Sequence, residues 1–505
     1  MNIKRAKQEI KDAIEAYLLK DEDGAYVIPA IRQRPVLLLG APGIGKTQIM
    51  EQIAKECQIG LVSYTITHHT RQSAIGLPFI SKKEFGGKEY AITEYTMSEI
   101  VASVYEKIEK TGLKEGILFI DEVNCVSETL APAMLQFLQC KTFGNHQIPD
   151  GWMIAAAGNP PEYNKSVREF DVVTMDRVKK IEVEPDYQVW KEYAYKENVH
   201  PAVISYLDTR PQHFYKMETT VDGRSFATPR GWEDLSRIIS VYEKLDKKAD
   251  RELVIQYIQH ETIAKDFANY LELYEKYQMD YELEAIFQGR IGDHLVKKAA
   301  HASFDERLSV ISLILSRCQE QFRQCFFAES VVKMVFGNLK IVKNGFLGVH
   351  SCQPFEFFDE VIKSVEKEWI QGMESEILTK NEDKIYRKVI RTLERYRQQM
   401  QLQGIREGEE AFELLRELFE EDRNELEQLA VRGREMLEYA FDFMEGVFGT
   451  GQEMVIFVTE LGRNYYSVKF IQENDCERYY MYNKNLLFEE KSRKIDGKLA
   501  ALNAL

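Results

Sequence analysis

The sequence is poor in the features that mark several classes of protein. No apolar run reaches the roughly 18–20 residues needed to cross a bilayer, so membrane insertion is not expected. The opening run Met1–Ile10 turns charged and amphipathic where a secretory leader would be apolar, and the expected compartment is the cytoplasm. Cysteine is sparse: seven residues, an odd number, scattered without a CxxC pair or a His–Cys cluster. They read as reduced structural residues rather than a disulfide frame or a zinc site. Basic charge is also in deficit, with 66 Lys+Arg against 81 Asp+Glu and a net charge of −15. That balance argues against general duplex or membrane-surface binding and leaves room only for a local basic channel. Internal repeats and low-complexity segments are lacking too. What remains, 44% hydrophobic and 29% charged over 505 residues, is the composition of a folded chain of two to four domains.

Up to about Glu184, short apolar runs alternate with helical patterns. Val36–Leu39, Leu61–Tyr64, Ile117–Ile120 and Met153–Ala157 are continuously apolar, as a parallel sheet covered on both faces requires. Val178–Val183 alternates and suits an edge. The expected fold class is therefore α/β, a doubly wound parallel sheet. Two insertions interrupt it. Residues 78–92 read as a β-hairpin around Gly86-Gly87, and residues 141–151 carry the turn chemistry of a second. From about Asp186 the pattern is helical, including a pair at Ile385–Met400 and Phe412–Val447. The second of these is acidic outside, with ten acids and two arginines from Glu407 to Glu427. It reads as a solvated helix packed along one seam, or else a partner-binding arm. Met454–Thr459 and Tyr465–Phe470 are expected to form a small terminal β element.

Two motifs carry chemistry. Gly40-Ala41-Pro42-Gly43-Ile44-Gly45-Lys46-Thr47 fits GxxxxGK[ST] between an expected strand and an expected helix. Glycines let backbone N–H groups turn inward around phosphate oxygens, and the helix points its positive end at the same charge. Lys46 would reach the β- and γ-phosphates and the Thr47 hydroxyl would hold Mg²⁺. Some 75 residues later, Ile117-Leu118-Phe119-Ile120 ends in Asp121-Glu122, at the sheet edge where α/β ligands bind. Asp121 would serve the Mg²⁺ and Glu122 would polarise an attacking water.

Asn159, directly after the fourth strand in Ala155-Ala156-Ala157-Gly158-Asn159-Pro160, is similar to the sensor-1 position of AAA+ ATPases. Met175-Asp176-Arg177-Val178 resembles the Leu-Asp-Arg-Phe segment of MoxR-type and chelatase-type members, which implies Arg177 as an arginine finger, with Arg168 as rival. Thr228-Pro229-Arg230-Gly231 resembles their Ser-Pro-Arg segment, implying Arg230 as sensor 2. The two hairpins occupy the places of the insertions that define the helix-2-insert clade, where they project toward the ring pore or a partner. His68-His69-Thr70-Arg71-Gln72 precedes the first insertion and is read as partner contact or local packing. Val178 departs from the usual phenylalanine, and residues between Asn159 and Arg177 lack the MoxR consensus.

The resemblance covers about residues 10–260. It implies an ATP-hydrolysing, ring-forming assembly, expected as a hexamer, with ATP and Mg²⁺ as cofactors. The implied activity is remodelling, loading or activating a protein partner, with a von Willebrand factor A-domain protein as candidate client. The alternatives are a nucleic-acid translocase or nuclease-associated NTPase, for which Lys82, Lys83 and Lys88 would form a basic ring, and a nucleotide-dependent scaffold with little turnover. The expected division is a nucleotide-binding core at 1–185, a helical lid at 186–260 and a helical accessory region at 261–380. A long acidic arm at 381–450 and a small α/β element at 451–505 complete it.

Overall fold

The computed structural model describes residues 1–68, 71–143, 145–163, 167, 170–220, 223–346 and 353–484. The chain divides into two compact units, one formed by Met1–Val189 with Glu366–Lys384, the other by Trp190–Val365 with Ile385 onward.

The first unit is built on a sheet of five parallel strands. In chain order its strands and hairpins are β1 (Val36–Gly40), β2 (Gly60–Thr65), β3 (Pro78–Phe85), β4 (Lys88–Tyr95), β5 (Gly116–Asp121), β6 (Thr142–Phe143), β7 (His146–Gln147), β8 (Trp152–Gly158) and β9 (Lys179–Val183). The sheet order is β2-β5-β8-β1-β9, so the alternating run Val178–Val183 does form an edge strand. All four expected apolar strands are present, each one or two residues longer than its apolar run. Helices Lys46–Cys57, Glu99–Thr111 and Ala131–Cys140 supply the crossovers. Leu37, Leu118, Ile120 and Ile154 meet Val101, Val104 and Phe137 in one buried core, which is why the strands need no polar face. In β8 every residue is buried, and its alanines let neighbouring elements approach closely.

Both expected hairpins exist. β3 and β4 pair in register from Pro78↔Tyr95 to Phe85↔Lys88 around Gly86-Gly87, and nearly every residue is exposed. β6 and β7 form a two-residue ladder before β8.

The second unit is mostly helical and carries one antiparallel hairpin, β10 (Lys216–Thr220) with β11 (Gly223–Ala227), where the sequence pattern suggested only helix. Helices Phe304–Phe346 (43 residues) and Gly408–Phe448 (41 residues) run past one another. Phe336 stacks on Phe419 with centroids 5.7 Å apart, and Gln321 Nε2 donates to Leu429 O at 2.9 Å. The acidic face of the second is tied in part to helix Lys380–Gln403, where Tyr396 donates to Asp422 Oδ2 at 2.6 Å.

One expectation fails. Met454–Thr459 and Tyr465–Phe470 are not strands: they lie in helices Gln452–Arg463 and Tyr465–Asn474. Met454, Phe457, Val458 and Leu461 are all buried, a spacing of three, four and seven that follows the helical period. Asn464 caps the last helix by accepting from Ser467 N at 3.1 Å.

Candidate active site

The phosphate loop leaves the carboxyl end of β1 and enters helix Lys46–Cys57. Gly45 has φ +92°, a left-handed conformation that L side chains rarely adopt, so the GxxxxGK spacing places glycine where the turn demands it. Lys46 opens the helix and is 8% exposed. Its ammonium donates to Gly40 O, Ala41 O and Asn159 Oδ1, each at 2.8 Å. Thr47 Oγ1 donates to Asp121 Oδ2 at 2.7 Å, and Glu122 N donates to Asp121 Oδ1 at 2.9 Å. Four residue groups separated by up to 113 positions, Lys46, Thr47, Asp121-Glu122 and Asn159, thus meet at one end of the sheet. They converge because β1, β5 and β8 are parallel and end there together.

Glu122 sits at φ +56°, strained for a carboxylate residue, and its carbonyl accepts from Cys125 N at 2.8 Å. The strain turns the chain sharply away from β5 directly after Asp121.

Two further residues complete the site, and motif reading passed over both. Thr67 Oγ1 donates to Glu122 Oε2 at 3.1 Å. The signal lay in strand register: β2 pairs with β5 so that Thr65 faces Asp121, and two residues more bring Thr67 beside Glu122. Asn124, almost fully buried, donates from Nδ2 to Asn159 O at 2.8 Å and so fixes the backbone of the residue that meets Lys46. A Cβ on Gly158 would stand 2.6 Å from Asn124 Oδ1, so glycine is required for Asn124 to pack there.

The oxygen donors Thr47 and Asp121 suit a hard cation such as Mg²⁺, which usually takes one or two protein oxygens and completes its shell with phosphate oxygens and water. Among the described residues no group of three or more His, Cys, Asp or Glu could hold a metal without such help.

Arg177 follows the short helix Val172–Met175, is exposed, and donates from Nη1 to Gln139 Oε1 at 2.6 Å. It takes no part in the hydrogen bonds around Lys46. Arg168, its rival, lies outside the described residues, as do His69 and Thr70. Arg230 belongs to the second unit, exposed in the first turn of helix Pro229–Lys244, whose cap Thr228 accepts from Gly231 N at 3.2 Å.

Residues 36–175 match the sequence model of AAA, the ATPase family associated with various cellular activities. The matched segment runs from β1 past β8 and holds the loop, Asp121-Glu122 and Asn159, so the first unit carries an AAA ATPase domain. Among solved structures, a protein described as a candidate ATPase from Cytophaga hutchinsonii is similar at 18% identity with a TM-score of 0.24. That similarity spans 39% of this chain and 56% of the other. No curated protein matches the chain. No helix among the described residues is long and apolar enough to cross a membrane.

Proposed function

We propose that the protein is a ring-forming AAA+ ATPase of MoxR type that remodels, loads or activates a protein partner. The observation that carries the enzymatic part is the convergence of Lys46, Thr47, Asp121-Glu122 and Asn159 through direct hydrogen bonds at one sheet edge. In this reading the loop amides and Lys46 hold the β- and γ-phosphates. Mg²⁺, held by Thr47 and through Asp121, would offset phosphate charge. Glu122 polarises the lytic water and Asn159 orients it. Arg177, exposed and outside its own site, serves the nucleotide of a neighbouring copy, where a planar permanent cation meets developing phosphoryl charge. Arg230 reports hydrolysis as movement of the 186–260 lid.

The hairpin β3–β4 supports a protein rather than a nucleic acid as client. Lys82 pairs with Glu89 at 3.1 Å and Lys83 with Glu94. Three lysines and three glutamates between residues 78 and 95 leave no net charge, so the basic ring a translocase needs is cancelled. Phe79, Phe85 and Tyr90 share one face by register and stay exposed, while Ile80 on the other face is 78% exposed. Resemblance to MoxR systems suggests a von Willebrand factor A-domain protein as that client, working in the cytoplasm beside a hexameric ring.

The test uses purified full-length chain. Phosphate release is expected from the wild type and not from Glu122→Gln, and ATP is expected to drive assembly into a ring by light scattering. Arg177→Ala should bind ATP without turnover, and mixing it with Glu122→Gln subunits should restore some activity. A strictly monomeric protein in saturating ATP, or equal rates for wild type and Glu122→Gln, would overturn the proposal.

A further inference from the structure

Helices Pro354–Glu374 and Lys380–Gln403 meet in a turn, and the segment around it, Glu366–Lys384, groups with the first unit. This tip is stiffly built. Ile377 N donates to Gly372 O at 3.2 Å and Glu376 N to Met373 O at 3.1 Å, the pair of bonds that closes a helix with one residue in the left-handed region. Thr379 and Glu382 cap the next helix reciprocally: Glu382 N donates to Thr379 Oγ1 at 3.2 Å and Thr379 N to Glu382 Oε2 at 2.8 Å. Trp369 Nε1 donates to Asp383 Oδ1 at 2.9 Å and ties the two helices together.

Glycine is the usual residue at the left-handed position of such a turn, because a Cβ is crowded in that conformation. Here the residue is Glu376, at φ +59°. Its Oε2 lies 2.9 Å from Nζ of Lys107, on helix Glu99–Thr111 of the ATPase core. The Lys107 side chain is only 10% exposed, whereas that of Glu376 is 70% exposed. The turn thus bears a conformational cost that glycine would avoid, and the side chain responsible is the one that pairs with the core. With one partner so open to water, the pair is weak and easily remade. Beside it, Ser375 and Glu376 share with Lys55, Ser63 and Ser103 the lining of a gap of about 600 Å³. The tip therefore lies at the edge strand β2 without filling the space there.

The two elements beside the tip lead to working parts of the core. β2 runs on to Thr67, whose hydroxyl donates to Glu122. Helix Glu99–Thr111 follows directly on the hairpin β3–β4, and Tyr64 of β2 donates to Glu99 O at 3.3 Å. We propose that the tip is an autoinhibitory latch: docked through Glu376 and Lys107, it holds helix Glu99–Thr111 beside β2, and turnover requires its release. A hydrolysis step that moves the hairpin also moves this helix. The docked and released states of one exposed ion pair then set how often the core is free to complete the step. The inference rests on the ATPase reading and adds a restraint to it.

Phosphate release and hydrogen exchange by the full-length protein test it. Glu376→Gly removes the side chain and suits the left-handed turn, so the protein should stay folded. Its basal kcat should rise about two- to fivefold, the range that one exposed ion pair can supply, with KM for ATP unchanged. Lys107→Met, which keeps an aliphatic stem, should give the same rise, and the double variant should gain no more than either single one. Without nucleotide, the amides of residues 372–378 should exchange faster in Lys107→Met than in the wild type. A basal rate that is unchanged or lower in the folded single variants, increases that multiply in the double variant, or unchanged exchange would each overturn the latch. A wild type that releases no phosphate would instead overturn the ATPase reading, and the docking of the tip would then be decided by the exchange of residues 372–378 alone.

Discussion

Gly158→Ala gives the sharpest test of how the site is assembled. The residue is not in a left-handed conformation, so alanine meets no backbone penalty there and acts only through its added methyl. That carbon would stand 2.6 Å from Asn124 Oδ1 and 2.8 Å from Asn124 Cγ, where ordinary contact needs about 3.4 Å or more. Asn124 is buried and cannot swing away, so its amide must shift by roughly 0.5–1 Å, at an overpacking cost of about 1–3 kcal/mol in stability. The shift is passed on, because Asn124 Nδ2 holds Asn159 O at 2.8 Å and Asn159 Oδ1 meets Lys46. Misplacing a catalytic group by that distance typically costs about 10²-fold in turnover. Phosphate release by Gly158→Ala should therefore fall about 10²-fold while ATP affinity holds within a few-fold, since the loop backbone is untouched. Asn159→Ala should lose a similar factor, and the double variant should lose little more, because both act on one group. A folded Gly158→Ala protein with wild-type kcat, or losses that multiply in the double variant, would refute the chain of contacts from Gly158 to Asn159.

Lys46→Ala is expected to lose ATP binding by fluorescence titration, because it removes the cation bonded to Gly40 O, Ala41 O and Asn159 Oδ1; unchanged affinity would contradict the loop assignment. Thr67→Val should leave ATP affinity intact and lower kcat by about three- to tenfold, the value of one hydrogen bond to a charged group at a solvent-accessible site. A faster variant would show that the hydroxyl restrains Glu122 instead of aiming it. Burial lowers the Lys141 ammonium from 10.5 to about 8, with Gln33 Oε1 at 2.9 Å as its nearest acceptor. Between about pH 8 and 10.5 the unfolded chain binds a proton at Lys141 that the folded chain does not, so stability gained at this residue rises with pH across that window. The unfolding free energy of wild type relative to Lys141→Met, from denaturant titration, should rise by about 2 kcal/mol from pH 7.5 to 10; a constant difference would mean the ammonium is not desolvated. Phe457→Ala should cost about 3–5 kcal/mol, because the ring is fully buried against Phe441 at 5.3 Å; a cost near zero would contradict the helical packing of residues 452–463.

How much of this was legible in the sequence depended on how local each signal was. Val36–Leu39 and Ile117–Ile120 are apolar on both faces, and only a covered parallel strand accounts for that when a phosphate loop follows one and two carboxylates the other. The Gly86-Gly87 hairpin announced itself through its turn. The terminal segment misled because Met454-Val455-Ile456-Phe457-Val458 is a short, β-branched run whose helical period emerges only when Leu461 is counted with it. β10 and β11 stayed hidden for the opposite reason: Lys216-Met217-Glu218-Thr219-Thr220 and Gly223-Arg224-Ser225-Phe226-Ala227 lack the apolar alternation by which a strand is recognised. Along Gly408–Phe448, Leu415, Met436, Ala440 and Phe443 are buried, whereas between 416 and 432 no residue is fully buried and the helix is held by half-buried contacts such as Phe419 on Phe336 and Leu429 O with Gln321. Thr67 and Asn124 belong to a third kind. Neither sits in a motif, and each gains a role only through register, Thr67 from β2 against β5 and Asn124 from the turn after β5 against the end of β8. A motif fixes which atoms touch the phosphates, whereas the residues that aim those atoms are set by how strands align, and alignment becomes readable once the two strand ends, Thr65 and Asp121, are known to face each other.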